Sequence, residues 1–320
     1  MKRILFLVIG ISGLLVTYSC NNTEEPLIDK EVKPEVISEG YRFAEGPYWH
    51  EDGFLLYSDI PENRVYKWMP GEGAEVFIAP SGNANGIKAD TNGSIILAQH
   101  AGKLSMLNDN GELEVLVDNY KGKRLNSPND LVVLSDNTIY FTDPPYGVRE
   151  ENRELDFSGI YRLSPGRELT LVYDKLSRPN GIALSPDETK LYVNESENGN
   201  IFVFDLQEEG RISDPTFFAS VGPRAEAPAA VRDTMRFEVE GITYNLLGGA
   251  DGMITDKAGR VYITSSAGLT IFDQNGHHLQ DISFDHRLTN FAWGGPDHNI
   301  LYITSPKRIY RLQLNTEGKK

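Results

Sequence analysis

One short pattern occurs six times along the chain. An acidic or amide residue stands just ahead of a strand-like run at Ala44-Glu45-Gly46-Pro47, Ala84-Asn85-Gly86-Ile87, Pro128-Asn129-Asp130-Leu131, Pro179-Asn180-Gly181-Ile182, Ala250-Asp251-Gly252-Met253 and Thr289-Asn290-Phe291. From Glu45 the steps are 40, 44, 51, 71 and 39 residues. A period of roughly 40–50 residues is that of propeller blades. In a closed ring of blades, equivalent positions face one axis. Six oxygen-bearing side chains would then meet around one point, a setting suited to a hard cation such as Ca2+.

Between these markers the chain reads as strands and turns, with no long amphipathic helix pattern. A second strand is predicted over residues 54–57, 94–97, 138–141, 190–193, 260–263 and 299–303, each after an Asp, Asn or Gly turn. Third strands follow at 64–67, 103–106, 159–162, 200–204, 269–272 and 308–311. Fourth strands follow at 75–77, 113–116, 169–172, 215–218 and 279–282. The rhythm predicts an all-β fold, a six-bladed β-propeller of mostly four-stranded antiparallel blades. A β-sandwich or β-helix would not keep a four-strand rhythm this regular. The last unit lacks a fourth strand, and residues 38–43 are expected to supply it and close the ring. Two stretches break the period: a polar insert at 144–158 and a longer one at 222–248 containing Arg224, Arg232, Arg236, Phe237 and Tyr244.

The amino end reads as a processing segment. Lys2 and Arg3 precede an apolar run from Ile4 to Val16, too short and wrongly flanked for a stable membrane span. Cys20, the only cysteine, closes that run and resembles the lipidated cysteine of a bacterial lipobox, although Thr17 replaces the usual aliphatic residue. The expected organisation is a lipoprotein-type signal over 1–19, a flexible tether over 20–36 and one propeller domain over 37–320. The expected location is the Gram-negative cell envelope, with membrane contact only through a lipid on Cys20. A single cysteine excludes an internal disulfide framework and a cysteine zinc site. The formal charge of −15, which becomes −17 without Lys2 and Arg3, argues against nucleic acid as a partner.

The chemistry-bearing residues are those of the repeat. Glu45 and Asp251 offer carboxylates, and Asn129 and Asn180 offer amide oxygens, a donor set that suits Ca2+. No HExxH, GxSxG or P-loop pattern is present. His50, His277, His278, His286 and His298 sit near turns or in polar contexts, whereas His100, at the end of a predicted strand, is placed to reach the channel and handle a proton. The pattern favours metal-assisted hydrolysis, with Asp251 as both ligand and base for the attacking water.

These same residues carry a family resemblance. Gly122-Lys-Arg-Leu-Asn-Ser-Pro-Asn-Asp-Leu-Val-Val133, Phe141-Thr-Asp-Pro-Pro-Tyr-Gly147, Arg178-Pro-Asn-Gly-Ile-Ala-Leu-Ser-Pro-Asp187, Ala250-Asp-Gly-Met253 and Thr289-Asn-Phe-Ala-Trp-Gly-Gly295 resemble, in this order, the gluconolactonase and regucalcin (senescence-marker-protein) propellers. The resemblance implies a lactonase with one divalent cation: Ca2+ first, with Mg2+, Mn2+ or Zn2+ as alternatives. It implies Glu45, Asn180 and Asp251 as ligands, Asp251 as base, and Asn129 as a catalytic channel residue meeting substrate or ion-bound water. It also implies Arg124 and Tyr146 at a polyol substrate, beside His100, which its strand-end position makes a further substrate-binding candidate, and Asp143 either behind the site or as a turn cap. The expected substrate is a sugar lactone, hydrolysed by a monomer to the aldonic acid. The alternatives are another lactone or ester, or a non-catalytic propeller that binds a sugar or a protein.

Overall fold

The computed structural model describes residues 26–28, 32–222, 236–239, 242–245 and 250–319. Six four-stranded antiparallel sheets follow one another around a ring. Their innermost strands are Ala44–His50, Ala84–Ala89, Leu131–Val133, Pro179–Leu184, Met253–Thr255 and Asn290–Gly294. These are blades one to six. In the first five blades, strands run outward in chain order. In the sixth, the outer place is taken by the amino-terminal strand Glu35–Glu39, paired antiparallel with the carboxy-terminal strand Arg308–Gln313.

The closing strand therefore lies a few residues before the predicted 38–43. The reason is side-chain chemistry. Tyr41 and Phe43 are buried, and Tyr41 packs edge-on against Tyr57 and Tyr66 of blade one. Residues 40–43 thus turn the chain from one blade into the next. Part of the predicted tether is also docked. Asn315 donates from its backbone N–H to the Leu27 carbonyl at 2.9 Å and from its side chain to the Pro26 carbonyl at 3.0 Å. Leu27, Ile28 and Val32 pack against the core of the sixth blade. Cys20 and the signal-like segment lie outside the described residues, as does most of the 222–248 insert, of which Arg236–Val239 and Ile242–Asn245 form a hairpin.

The core lies between neighbouring blades. Second and third strands present Tyr57, Tyr140, Tyr161, Tyr262 and Tyr302 as fully buried side chains, with Phe141 and Phe204 among them. Each aromatic ring of this size contributes on the order of 2–3 kcal/mol by burial, enough to hold blades whose edges share few backbone bonds. The outer strands are partly exposed, as the Gly73–Ile78 strand is along most of its length.

Candidate functional site

The six repeat residues sit at one end of the central channel, where each inner strand begins. In blades one, two and four the inner strand carries one extra residue at this point. Pairing jumps from Glu45↔Ser58 to Tyr48↔Leu56, from Ala84↔Gln99 to Ile87↔Leu97, and from Pro179↔Glu195 to Ile182↔Val193. Such a bulge bends the strand and re-aims a side chain, here bringing Glu45, Asn85 and Asn180 to the channel end. The following glycine has a steric cause. Gly46 has φ +51°, and a Cβ there would lie 1.8 Å from the Asn85 carbonyl oxygen; at Gly181 it would lie 2.3 Å from that of Asp251. Neighbouring inner strands approach so closely at this level that only glycine fits.

Second-strand side chains stitch these strands together. Ser58 donates to the carbonyls of Glu45 at 3.1 Å and Asn85 at 2.9 Å. Thr142 donates to the Asn180 carbonyl at 2.8 Å, and Asn194 to that of Asp251 at 2.6 Å. Thr289 donates to the Ala44 carbonyl at 2.8 Å, joining blade six to blade one. The ring of functional residues is thus held through its main-chain carbonyls.

Those side chains form two arcs. One is neutral: Asn85 Nδ2 donates to Asn129 Oδ1, Asn129 Nδ2 donates to Asn180 Oδ1 at 2.6 Å, and Asn180 Nδ2 lies 3.5 Å from the Tyr146 hydroxyl. His100 Nε2 lies 3.3 Å from Asn85 Nδ2 and 3.4 Å from Asn129 Oδ1. Burial lowers the His100 pKa to about 4, so the imidazole is neutral at pH 7. Burial likewise pushes the Tyr146 hydroxyl up to about 12.

The other arc is acidic. Glu45, Asp130 and Asp251 are all buried. Burial first, then the charge of Asp251, holds the Glu45 carboxyl well above the usual carboxylate range, while burial raises Asp130. Asn290 donates to Asp130 Oδ2 at 3.3 Å and also bonds Glu45. Asp251 accepts from Arg287, which is 3% exposed.

Among the described residues no group of three His, Cys, Asp or Glu side chains makes a metal site by itself. A cation here must use an amide oxygen beside the carboxylates, as in the set Glu45, Asn180 and Asp251. The residues fit one: carboxylates of like charge face one another in a buried site, the condition that a divalent ion relieves.

The structure brings Glu45, Asn129, Asn180, Asp251, His100 and Tyr146 to one place. Arg124 is used differently. Its Nη1 donates to the carbonyls of Leu125 and Asn126 at 2.6 Å each, and its Nη2 to that of His100 at 3.1 Å, so it braces the loop around the site. Asp143 is a brace as well. Its two oxygens accept the backbone N–H groups of Asn126 at 2.9 Å and Ser127 at 2.7 Å, fixing the turn that delivers Asn129. The sequence pattern did not single out Asp130 or Arg287. Asp130 adjoins a repeat residue and is a legible candidate, whereas nothing in the repeat marks Arg287, three residues before Asn290.

A six-bladed propeller with a mixed carboxylate and carboxamide ring at one channel mouth is the class defined so far. The chain belongs to the SMP-30/gluconolactonase/LRE-like family, whose region spans residues 43–307. It is 36% identical to a gluconolactonase of Zymomonas mobilis over 92% of this chain and 85% of that one. It is 25% identical to a pentonolactonase of Haloferax volcanii over 84% of each. Among solved structures it is similar to a gluconolactonase of Xanthomonas campestris, with TM-score 0.75, 29% identity and coverage of 89% and 90%. A calcium-binding regucalcin of Agrobacterium tumefaciens shares the fold, with TM-score 0.72, 17% identity and coverage of 90% and 95%.

Proposed function

We propose that this protein is a divalent-metal-dependent hydrolase that opens a sugar-derived lactone to the aldonic acid. Lactone hydrolysis follows from membership of a family whose relatives at 36% and 29% identity are named gluconolactonases. The observation that carries the metal reading is the meeting of Glu45, Asn180 and Asp251 in one buried channel end, where burial and the charge of Asp251 hold the Glu45 carboxyl well above the usual range. These three residues would hold the ion, with Ca2+ as first choice, and an ion there polarises the lactone carbonyl and lowers the pKa of a water.

The protein side chains supply the rest. Asp251 takes the proton of the attacking water as its oxygen adds to the carbonyl carbon. The ring C–O bond then breaks, and the same proton passes to the departing alkoxide. Asn85 Oδ1 is buried and has no partner among the described residues, so a substrate hydroxyl can donate to it. Asn129 links that residue to Asn180 and keeps the amides oriented, with Tyr146 at the end of the chain of amides. A polyol, rather than an aliphatic lactone, matches this wall of donors and acceptors.

The test is base consumption at constant pH over a panel of sugar and aliphatic lactones, with and without chelator, for the wild type and Asp251→Asn. Turnover of a sugar lactone that is lost on chelation and in the variant is expected. Turnover surviving both overturns the mechanism, and no turnover on any lactone favours a sugar- or protein-binding role. We further place the protein in the cell envelope of a Gram-negative bacterium, held by lipid on Cys20. Release of Cys20→Ser from the membrane fraction tests that placement, and its retention there refutes it.

A further inference from the structure

Arg287 lies in the loop between the outer strand of blade five, His278–Ser283, and the inner strand of blade six. Its side chain is 1% exposed, and Nη2 donates to Asp251 Oδ2. Its Nε and Nη1 are buried and have no hydrogen-bond partner among the described residues. The guanidinium carbon lies 6.0 Å from the Phe43 ring centroid. A buried arginine built in for structure commits its donors to a network, because each unmet donor costs free energy. Here one charge holds the group, and that charge sits on the carboxylate the metal reading requires. An Asp251 paired with a guanidinium is also a poor proton acceptor.

We propose that Arg287 is a displaceable counter-cation. It neutralises Asp251 in the ion-free enzyme, yields that carboxylate when the divalent ion enters, and so sets the affinity for the ion. The inference rests on the metal reading above. Two cations compete for one carboxylate, so breaking the Arg287–Asp251 pair opposes ion binding, and the guanidinium left nearby repels the ion.

The test uses metal-stripped protein titrated with Ca2+ by calorimetry, together with thermal unfolding with and without Ca2+. The chains compared are wild type, Arg287→Gln and Arg287→Lys. Arg287→Gln is expected to bind Ca2+ at least about tenfold more tightly than wild type, the scale of coupling between close charges. It should unfold at lower temperature than wild type without ion, and the gap should close at saturating Ca2+. Arg287→Lys, which keeps the charge, should stay near wild-type affinity. Equal or weaker binding by Arg287→Gln, with an unfolding gap that Ca2+ leaves unchanged, overturns the proposal and makes Arg287 a permanent brace. Should Arg287→Gln not fold, the wild-type guanidinium nitrogen resonance, assigned with Arg287→Lys, decides: it moves on Ca2+ addition if the proposal holds and stays put if it fails. A wild type that binds none of Ca2+, Mg2+, Mn2+ or Zn2+ overturns the metal reading itself, an outcome distinct from failure of the arginine exchange.

Discussion

The neutral His100 makes a stability prediction that can be worked through. Burial lowers its pKa from the ordinary 6.5 to about 4. Between these two values the unfolded chain binds a proton that the native state refuses. Stability contributed through this residue is therefore present above pH 6.5 and lost as pH falls toward 4. A separation of about 2.5 units at about 1.4 kcal/mol each is about 3.5 kcal/mol in full, of which about 2.5 kcal/mol is lost by pH 4.5. For a domain of this size, 1 kcal/mol moves the unfolding temperature by roughly 2 °C, so the loss by pH 4.5 corresponds to about 5 °C. The comparison is wild type against His100→Gln, whose amide can still accept from Asn85 Nδ2. Thermal unfolding from pH 7.5 to 4.5 should show wild type losing about 5 °C more than the variant. The difference isolates His100 from the buried carboxylates, whose raised pKa values act in the opposite sense. A flat difference across that window, or an imidazole carbon resonance titrating at pH 6 or above, would refute the reasoning.

Three further outcomes follow from the same geometry. Gly46→Ala should cost more than about 3 kcal/mol in urea unfolding, because its Cβ would fall 1.8 Å from a main-chain oxygen at positive φ; a variant within about 1 kcal/mol of wild type would contradict the close approach. The raised pKa values of Glu45 and Asp130 mean that the ion-free protein is favoured at low pH and loses that stability as pH rises through those values, so the unfolding shift produced by Ca2+ should grow from pH 5 to pH 8; a shift that shrinks with rising pH would count against it. Asp143→Asn replaces one of two acceptors with a donor facing a backbone N–H and should cost about 2 kcal/mol and lower turnover, while Ca2+ affinity measured by calorimetry stays unchanged.

Much of this architecture was readable from the chain, and the reason is repetition. Strand positions recur every 40–50 residues or so, and each predicted second, third and fourth strand lies within two residues of the observed one, as 64–67 does beside Arg64–Met69. Glu45, Asn180 and Asp251 were readable because blades one, four and five place them at one turn. Arg287 was not, because its position depends on how a single loop folds back toward blade five, and a local loop path has no echo in the other blades. The role of Arg124 was also hidden: its partners are backbone carbonyls of residues 100, 125 and 126, which leave no signature in side-chain types. The same holds for Tyr41, whose packing moves the closing strand to Glu35–Glu39.

That closing strand has a consequence for how the molecule is made. Its partner, Arg308–Gln313, lies about 270 residues further along the chain, so this pairing carries a larger loop-closure cost than any pairing within a blade. Five blades can assemble from closer contacts before that cost is met, while the ring stays open. A waiting strand with unpaired backbone groups invites the wrong neighbour, and Glu35 and Glu39 at its two ends repel a second copy of itself. The clasp that completes the channel is thus also a late step of folding, and the acidic ends of a five-residue segment guard the open ring until then.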